Sequence, residues 1–327
     1  MQPTWLLALS FLGFLSFLTH SISLLNWVFT TFLRSPKNLN NYGSWALITG
    51  ATDGIGKAFA NQLVRQGLNL ILVSRNLNKL KTVSAEIRAQ FPHLKIKVVA
   101  HDFSGNLSAG VGLIEEAVKG VEVGVLINNV GITYPRAMYF HEVEEEVVKG
   151  IIRVNLEGTT WVTRAVLPEM LNRKRGAIVN VGSGASIVVP LHPLYTIYAA
   201  TKAYIDKLSR SLYVEYKLRG IDVQCQVPLY VATNLASKVA SIEKSMFVPS
   251  PEDYAKAAIR QIGYEPRCTP YWSHAVQWCF ARLLPDVLLD AWRLSIALRR
   301  RAEICFEGIK IQLFKSLAHN IQYDTYM

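Results

Sequence analysis

The stretch that decides the fold is WALITGATDGIG, Trp45 to Gly56. Its first five residues, WALIT, have the composition of a short buried strand, and glycines at 50, 54 and 56 follow where a helical segment begins. Glycine permits positive φ and lets backbone N–H groups approach a pyrophosphate at a helix N-terminus. A strand, a glycine run and a helix at the start of a βαβ unit therefore predict a dinucleotide site, because a plain βα turn would not need three glycines.

Apolar strands and helical segments alternate along the rest of the chain. The predicted strands are Trp45–Thr49, Asn69–Ser74, Ile96–Ala100, Val123–Ile127, Ala177–Val181 and Asp222–Val227. The predicted helices are Gly54–Gln66, Asn76–Phe91, Asn106–Gly120, Glu142–Arg173 (one helix or two), Leu194–Arg219 and Glu252–Ile262. This alternation predicts an α/β fold, a doubly wound parallel sheet with helices on both faces.

The N-terminal segment predicts a membrane anchor. Residues 1–33 carry no charged side chain, and the apolar stretch from Trp5 to Leu33 exceeds the ~20 residues that a span needs. Arg34 and Lys37 follow at once, which by the positive-inside rule places the following domain in the cytosol. The alternative is a cleaved signal peptide, but the stretch lacks a basic n-region and a clear small-residue cleavage site.

These patterns divide the chain into four parts: 1–37 as anchor and basic flank, 38–43 as a polar linker, 44–270 as the catalytic domain and 271–327 as a helical extension. Within the extension, Trp272–Leu298 contains four charges that exclude an ordinary second span. We expect an amphipathic helix that packs on the domain, with contact to the membrane surface as the alternative.

Composition excludes several classes of protein. Half of the 327 residues are hydrophobic, so a sizeable core is available, and the net charge of +11 includes a basic cluster, Arg299–Arg301, that could face lipid head groups or phosphate-bearing ligands. No aromatic-interleaved basic stripe, helix-turn-helix or zinc-finger spacing argues for nucleic acid. The four cysteines form no CxxC, and no histidines cluster at ligand spacing, so neither a metal site nor a disulfide framework is expected.

Chemistry is predicted at YAATK, Tyr198 to Lys202. Residues four apart lie on one face of a helix, so the phenol and the ammonium point the same way. A tyrosine ordinarily titrates near ~10, and a fixed ammonium beside it stabilises the phenolate and lowers that pKa. Such a phenol can exchange a proton with a substrate oxygen near neutral pH.

The end of the second strand, about 20 residues after the glycines, is where dinucleotide folds read the ribose. An acidic residue there favours NAD, whereas an arginine accepts the 2′-phosphate of NADP. Arg75 occupies this position, and no acidic residue occurs between Lys57 and Ala85, which predicts NADPH. Asp102, after the third strand, either accepts a hydrogen bond from the adenine amino group or caps the following turn.

Three motifs together resemble the short-chain dehydrogenase/reductase family: TGxxxGxG at Thr49–Gly56, NNVG at Asn128–Gly131 and YxxxK at Tyr198–Lys202. The resemblance covers about Ser44–Thr233 and implies a Rossmann-type sheet that Asn128 steadies. It implies that Tyr198 is the acid, that Lys202 lowers its pKa and binds the nicotinamide ribose, that Ser183 binds the substrate carbonyl and that Asn155 holds a relay water. The residues implied to contact the cofactor are Gly50, Thr52, Asp53, Gly54, Ile55, Gly56, Arg75, Asp102, Asn129, Tyr198, Lys202, Val231 and Thr233.

Two positions depart from the family pattern. Ser183 precedes Tyr198 by more residues than is usual; counting from the fifth strand favours Ser183, while counting back from Tyr198 leaves Ser186 as an alternative. The family's PG after the sixth strand is Pro228-Leu229 here, a change that bears on how closely the backbone approaches the nicotinamide.

Within the family, the N-terminal span, QVPLYVATN and CTPYW (Cys268 to Trp272) are most similar to the plant very-long-chain 3-oxoacyl-CoA reductases. The resemblance implies NADPH-dependent reduction of an acyl-CoA in fatty-acid elongation, at the endoplasmic reticulum membrane with the catalytic domain facing the cytosol. It also implies contact with other elongation enzymes and a homodimer formed through the two long helices. The alternatives are a hydroxysteroid or ketosteroid oxidoreductase and a catalytically silent membrane scaffold.

Overall fold

The computed structural model describes residues 4–189, 191–237 and 243–303. The chain divides into two compact units, Met1–Pro36 and Lys37–Met327. The family motifs all lie in the second unit, and the apolar N-terminal segment forms the first.

The first unit is one helix. Helix α1, Thr4–Val28, continues into a π-helical turn at Phe29–Leu33, and none of its side chains is buried. Thr4–Leu33 spans 30 residues with a mean hydropathy of 1.7. In the described part of the chain, this is the helix that is long and apolar enough to cross a membrane, as the sequence predicts.

The second unit is built on a seven-stranded sheet in which every strand pairing is parallel. The spatial order is β3-β2-β1-β4-β5-β6-β7. The strands are β1 Trp45–Thr49, β2 Asn69–Ser74, β3 Ile96–Ala100, β4 Val123–Asn128, β5 Gly176–Val181, β6 Ile221–Gln226 and β7 Arg267–Cys268. The first six agree with prediction to within one residue at each end. Strand β7 was missed, because two residues are too few to show a pattern.

Helices cover both faces of the sheet. They are α2 Gly54–Arg65, α3 Leu77–Gln90, α4 Leu107–Val118, α5 Glu145–Ile151, α6 Gly158–Asn172, α7 Thr196–Tyr216, α8 Asn234–Ser237, α9 Pro251–Arg260, α10 Trp272–Ala281 and α11, residues 286–303. Strands β1, β4, β5 and β6 are buried along their whole length, as a sheet covered on both faces requires. One core cluster includes Phe59 and Tyr254, and a second includes Phe103 and Met170. The doubly wound parallel sheet is confirmed.

The stretch between the anchor and β1 differs from a simple polar linker. Residues 39–41 form a 3₁₀ turn, and Leu39 and Tyr42 are buried in the core. The Tyr42 hydroxyl donates to Asp222 on β6, and Lys37 Nζ donates to Asp222 Oδ2 at 3.1 Å and to the carbonyl of Gly263 at 2.5 Å. Lys37, predicted in the basic flank of the anchor, therefore pairs with a carboxylate of the second unit.

The C-terminal extension packs on the domain. Pro285 separates α10 from α11, so the predicted single helix at 272–298 is two helices. Leu289 and Ala297 of α11 are buried, and Arg301 forms an ion pair with Glu142. Residues 304–327 of the predicted extension lie outside the described part of the chain.

Asp222 provides a test of how the edge of the sheet is stabilised. Burial alone would raise the pKa of its carboxyl, but bonds from Lys217, Tyr42 and Lys37 outweigh burial and lower it. We expect Asp222→Asn to reduce the free energy of unfolding by about 2 kcal/mol, below the usual cost of breaking a buried pair because both lysines are partly exposed. The measurement is thermal unfolding of the full-length chain in detergent micelles.

The stability that Asp222 contributes should decrease at acidic pH, because its pKa is lowered in the folded protein. A depressed folded-state pKa contributes stability above the unfolded value near ~3.9, and that stability is lost as the pH falls through the folded value. The difference in the free energy of unfolding between the wild type and Asp222→Asn should therefore become smaller below about pH 4. Glu215→Gln, at an exposed position of α7, is the control. Equal unfolding midpoints for the wild type and Asp222→Asn at pH 7 would contradict the assignment.

Candidate active site

The candidate site lies where β1 and β4 are adjacent in the sheet although they are not consecutive in the chain. The connections leave β1 and β4 in opposite directions, which opens a crevice at the carboxyl ends of the strands. Two cavities lie there. The Tyr198 cavity, about 270 Å³, is lined by Ser183, Tyr198 and Lys202 among others. The glycine-loop cavity, about 330 Å³, is lined by Gly50, Gly54 and Arg75 among others.

The glycine loop between β1 and α2 uses its glycines for two different reasons. Gly50 and Gly54 have φ of +67° and +50°, a backbone conformation that other residues rarely adopt. Gly56 is required by close packing, since a Cβ on it would lie 2.2 Å from the carbonyl oxygen of Gly50. The loop therefore presents bare backbone to the cavity at the start of a helix, the arrangement that suits a phosphate.

Asn129 ties this loop to the end of β4. Its backbone N–H donates to Thr49 Oγ1 at 3.0 Å, and its Nδ2 donates to the carbonyls of Thr49 at 3.1 Å and Gly50 at 3.3 Å. Asn129 lines both cavities. The residue predicted to contact the cofactor thus also holds the two sides of the crevice together.

Asp53 and Thr52 fix the first turn of α2. The Asp53 carboxylate accepts from Gly54 N at 2.7 Å and from Asn234 Nδ2 at 2.6 Å, and Thr52 Oγ1 lies 2.9 Å from Ser74 Oγ. Asn234 follows β6, so the cap of α2 also joins the segment that contains Val231 and Thr233. The structure thereby brings the predicted cofactor residues from three segments to one crevice.

Arg75 and Asp102 both line the glycine-loop cavity. Asp102 Oδ1 accepts from Ser104 N at 2.9 Å and from Ser104 Oγ at 2.7 Å, so it caps the turn after β3, one of its two predicted roles. Burial raises the pKa of Asp102, but the Ser104 bonds and Arg75 lower it overall. His101 also lines this cavity, with a buried Nε2 that has no partner in the described structure, and no sequence motif pointed to it.

Tyr198 and Lys202 both line the Tyr198 cavity, as their spacing on α7 predicts. The Lys202 ammonium lies 6.0 Å from the centroid of the Tyr198 ring. It donates at 2.8 Å to the carbonyl oxygen of Val181, the last residue of β5. The two side chains therefore stand on the same side of the crevice.

The predicted effect of Lys202 on the Tyr198 pKa is wrong for this structure. Burial raises the pKa of the Tyr198 phenol, and the Ser183 hydroxyl near it offsets only part of that rise. Lys202 does not lower it, because its ammonium faces the Val181 carbonyl, and burial lowers the pKa of Lys202 itself to about 8. The phenol is therefore protonated at neutral pH.

Ser183 is the serine that faces the Tyr198 cavity. Its hydroxyl accepts from Ala185 N at 3.1 Å, which caps the 3₁₀ turn at Gly184–Ser186, and it lies close enough to Tyr198 to affect the pKa of the phenol. Ser186, the alternative, donates its hydroxyl to the Ser183 carbonyl at 3.2 Å and does not line the cavity. The geometry favours Ser183 as the partner of Tyr198.

Asn155 lies in a π-helical turn, Ile152–Glu157, between α5 and α6. Its amide is buried, with Oδ1 accepting from Ile132 N at 2.8 Å and Nδ2 donating to Ile132 O at 2.9 Å and Thr201 Oγ1 at 3.1 Å. The side chain therefore holds the segment after β4 against α7. Its role in holding a relay water stays a prediction.

Asn128 belongs to a buried polar chain that crosses the sheet. Its Nδ2 donates to Thr163 Oγ1 and to Asn180 Oδ1, both at 2.8 Å, and Asn180 Nδ2 donates to Ser209 Oγ at 2.9 Å. The chain links β4, β5, α6 and α7. This arrangement fits the sheet-steadying role implied for Asn128.

The Pro228-Leu229 departure is accommodated locally. Gly184 N donates to the Pro228 carbonyl at 2.8 Å, and the Leu229 side chain occupies the space beside Gly184, where a Cβ would lie 3.1 Å from Leu229 Cγ. Leu229 and Val231 both line the Tyr198 cavity. A glycine in the neighbouring strand–helix connection thus makes room for the leucine.

One part of the wall of the Tyr198 cavity comes from four residues outside the predicted site, His192, Tyr230, Trp292 and Arg293. Tyr230 lies within QVPLYVATN, whereas Trp292 and Arg293 belong to α11, which no motif identified. Within the described residues, no group of three or more His, Cys, Asp or Glu side chains is placed to hold a metal ion.

Residues 44–244 match the short chain dehydrogenase family. The chain belongs to this family. A very-long-chain 3-oxoacyl-CoA reductase-like protein of Arabidopsis thaliana is 62% identical over 92% of this chain and 96% of its own length. Very-long-chain 3-oxoacyl-CoA reductase-B of Danio rerio is 39% identical over 80% of this chain and 83% of its own length.

The chain is also similar to a human protein and to a bacterial dehydrogenase of known structure. An inactive hydroxysteroid dehydrogenase-like protein 1 of Homo sapiens is 41% identical over 82% of this chain and 81% of its own length. A short-chain dehydrogenase of Sphingobium yanoikuyae, solved in complex with NADPH, superposes with a TM-score of 0.59 and 29% identity, covering 66% of this chain and 83% of its own. This chain is an oxidoreductase of the family, with Ser183, Tyr198 and Lys202 all lining one cavity.

Gly56 tests the dinucleotide assignment of the glycine loop. In Gly56→Ala the new methyl would force the Gly50 carbonyl and Asn129 apart, so we expect dinucleotide affinity to fall at least ~10-fold. Titration of protein fluorescence with dinucleotide measures it. Gly112→Ala is the matched control, since a Cβ there meets nothing within 4 Å. Unchanged affinity in a folded Gly56→Ala protein would refute the site.

Proposed function

We propose that this chain is an NADPH-dependent reductase of very-long-chain 3-oxoacyl-CoA in fatty-acid elongation. The observation that carries the proposal is the placement of Ser183 and Tyr198, two hydroxyl donors, at the lining of one cavity that adjoins the glycine loop. The names of the plant and fish relatives support the substrate.

The residues present fit a nicotinamide dinucleotide. The glycine loop has no room for side chains, and it leads into the N-terminus of α2, where backbone N–H groups and the helix dipole favour a pyrophosphate. Arg75 lies on the same cavity, exposed at the end of β2, where its guanidinium suits a 2′-phosphate. These features support NADPH over NADH.

Ketone reduction needs a hydride and a proton. A bound reduced nicotinamide supplies the hydride. Ser183 and Tyr198 donate hydrogen bonds to the ketone oxygen as negative charge grows on it, and these donors are already held in place by β5 and α7. Tyr198 then delivers its proton, which its raised pKa keeps on the phenol until the oxygen becomes basic. The Lys202 ammonium, which the Val181 carbonyl holds at the lining of the same cavity, would bind the nicotinamide ribose.

The cavity and the anchor suit a lipid substrate. Apolar side chains dominate the lining near Tyr198, including Val188, Val189, Leu229 and Leu235. A long acyl chain partitions into the bilayer, and the apolar helix Thr4–Leu33 would hold the enzyme at that surface. We place the protein at the endoplasmic reticulum membrane with its catalytic domain in the cytosol. Contact with other elongation enzymes and a homodimer through α5, α6 and α7 stay predictions.

A ketosteroid reductase is the alternative, although the human relative that suggests it is named an inactive hydroxysteroid dehydrogenase-like protein. Membranes that contain the full-length chain should oxidise NADPH faster with a long 3-oxoacyl-CoA than with a 17-ketosteroid. In Tyr198→Phe the rate with the acyl-CoA should fall by about 10²–10⁴, because the proton donor is removed. NADPH binding, measured by fluorescence, should persist.

The control is Tyr216→Phe, near the end of the same helix and outside the lining of the Tyr198 cavity. Its rate should equal that of the wild type. A faster reaction with the steroid would favour the alternative function. Near-normal turnover in Tyr198→Phe would contradict the role of Tyr198 as proton donor, whichever substrate is preferred.

Arg75 tests the choice of cofactor. Arg75→Asp removes the cation proposed for the 2′-phosphate and adds a carboxylate that accepts from a ribose hydroxyl. We expect NADPH affinity to fall about 10–100-fold while NADH affinity holds or improves, since only NADPH loses a charge-assisted contact. Arg65→Gln, an exposed change on α2, is the control. An equal loss for both dinucleotides would contradict this role.

A further inference from the structure

We propose that Arg293 binds the thioester carbonyl oxygen of the substrate, so that the cavity selects 1,3-dicarbonyl thioesters over isolated ketones. This inference rests on the proposed function and adds a specificity residue to it. Arg293 lies on α11, beyond the region 44–244 that matches the family.

Arg293 is buried without a counter-ion. Its exposed fraction is 9%, it lines the Tyr198 cavity, and its Nε has no hydrogen-bond partner. Its Nη2 donates to the His192 ring, and its guanidinium also lies near the Tyr230 hydroxyl and 5.9 Å from the centroid of the Trp292 ring. Among the described residues, no carboxylate lies within ion-pair distance of it. Burying a guanidinium in this way is costly unless something else accepts from it, and Arg293 lines the cavity, where a ligand could accept from the guanidinium.

His192 orients the guanidinium without neutralising it. Burial, together with Arg293 and Arg300, lowers the pKa of His192 to about 3, so the ring is neutral at physiological pH. A neutral imidazole has one nitrogen free to accept, and Arg293 Nη2 donates to it. The positive charge of Arg293 therefore stays available to a ligand.

A second cation strengthens this wall of the cavity. Arg300 Nη1 donates to the Tyr230 hydroxyl at 2.9 Å, and Tyr230 lines the cavity. Lys202 also lines the cavity, and no Asp or Glu occurs among the described residues that line it. The electrostatic character of the cavity favours a ligand with several acceptor oxygens.

The proposed substrate has two such oxygens close together. Its ketone and its thioester carbonyl are separated by a single carbon, so a ketone held by Ser183 and Tyr198 leaves the second oxygen nearby for another donor. Guanidinium offers planar N–H groups that suit an sp² oxygen. A steroid or a simple alkanone has one carbonyl at the reacting position and leaves Arg293 unmatched.

The test compares three substrates of equal acyl length: a 3-oxoacyl-CoA, the corresponding N-acetylcysteamine thioester, which has no phosphate, and a methyl ketone. The full-length chain in detergent micelles is assayed as wild type, Arg293→Gln, Arg293→Lys and the exposed control Arg219→Gln. In Arg293→Gln we expect kcat/KM to fall about 10–100-fold with both thioesters and by less than about threefold with the ketone. The kcat/KM of Arg293→Lys with the thioesters should lie between those of the wild type and Arg293→Gln. The kcat/KM of Arg219→Gln should equal that of the wild type.

Each contrary result has its own meaning. A loss in Arg293→Gln that is equal for thioester and ketone would overturn the inference, as would no loss at all. A fall in kcat/KM that occurs only with the CoA substrate would show that Arg293 binds a phosphate of coenzyme A. That result would also overturn the inference. If the wild type reduces no 3-oxoacyl-CoA, the proposed function fails and the inference falls with it. Thermal unfolding and dinucleotide binding verify folding, and Arg293→Lys carries the comparison if Arg293→Gln does not fold.

Discussion

One hydrogen bond joins the two segments that carry the chemistry, the bond from the Lys202 ammonium to the Val181 carbonyl. Val181 ends β5 two residues before Ser183, and Lys202 follows Tyr198 by one helical turn on α7. The bond therefore sets how the serine stands against the tyrosine. It is also the reason why Lys202 is buried as a cation without a carboxylate partner in the described structure, and its lowered pKa reflects that burial.

Local patterns sufficed for most of the fold. Strands such as Asn69–Ser74 are continuous apolar runs between turn residues, and the glycines at 50, 54 and 56 have steric reasons that a short stretch of sequence expresses. Features that depend on distant contacts were less visible. Lys37 looked like the flank of an anchor, but it pairs with Asp222, a residue far along the chain. Spacing alone also suggested that Lys202 acidifies Tyr198, whereas burial, which a sequence does not reveal, dominates that phenol.

The candidate site shows the same division. Tyr198 and Lys202 belong to a short motif, and of the two candidate serines the structure places Ser183 at the lining of their cavity. Arg293 and His192 are about a hundred positions apart, and only the packing of α11 over the crevice puts them in contact. Arg293 also lies beyond residues 44–244, the region that matches the family. The residue proposed to select the substrate therefore comes from outside the part of the chain that carries the motifs.

The two cavities share Ile55, Asn129, Gly131, Thr233 and Leu235 as a common wall. A dinucleotide that extends from the glycine loop past this wall forms part of the surface against which the second reactant must rest. The binding site of the ketone is therefore complete only after the dinucleotide has bound. Ordered addition, with the dinucleotide first to enter and last to leave, is the kinetic behaviour that this partition imposes.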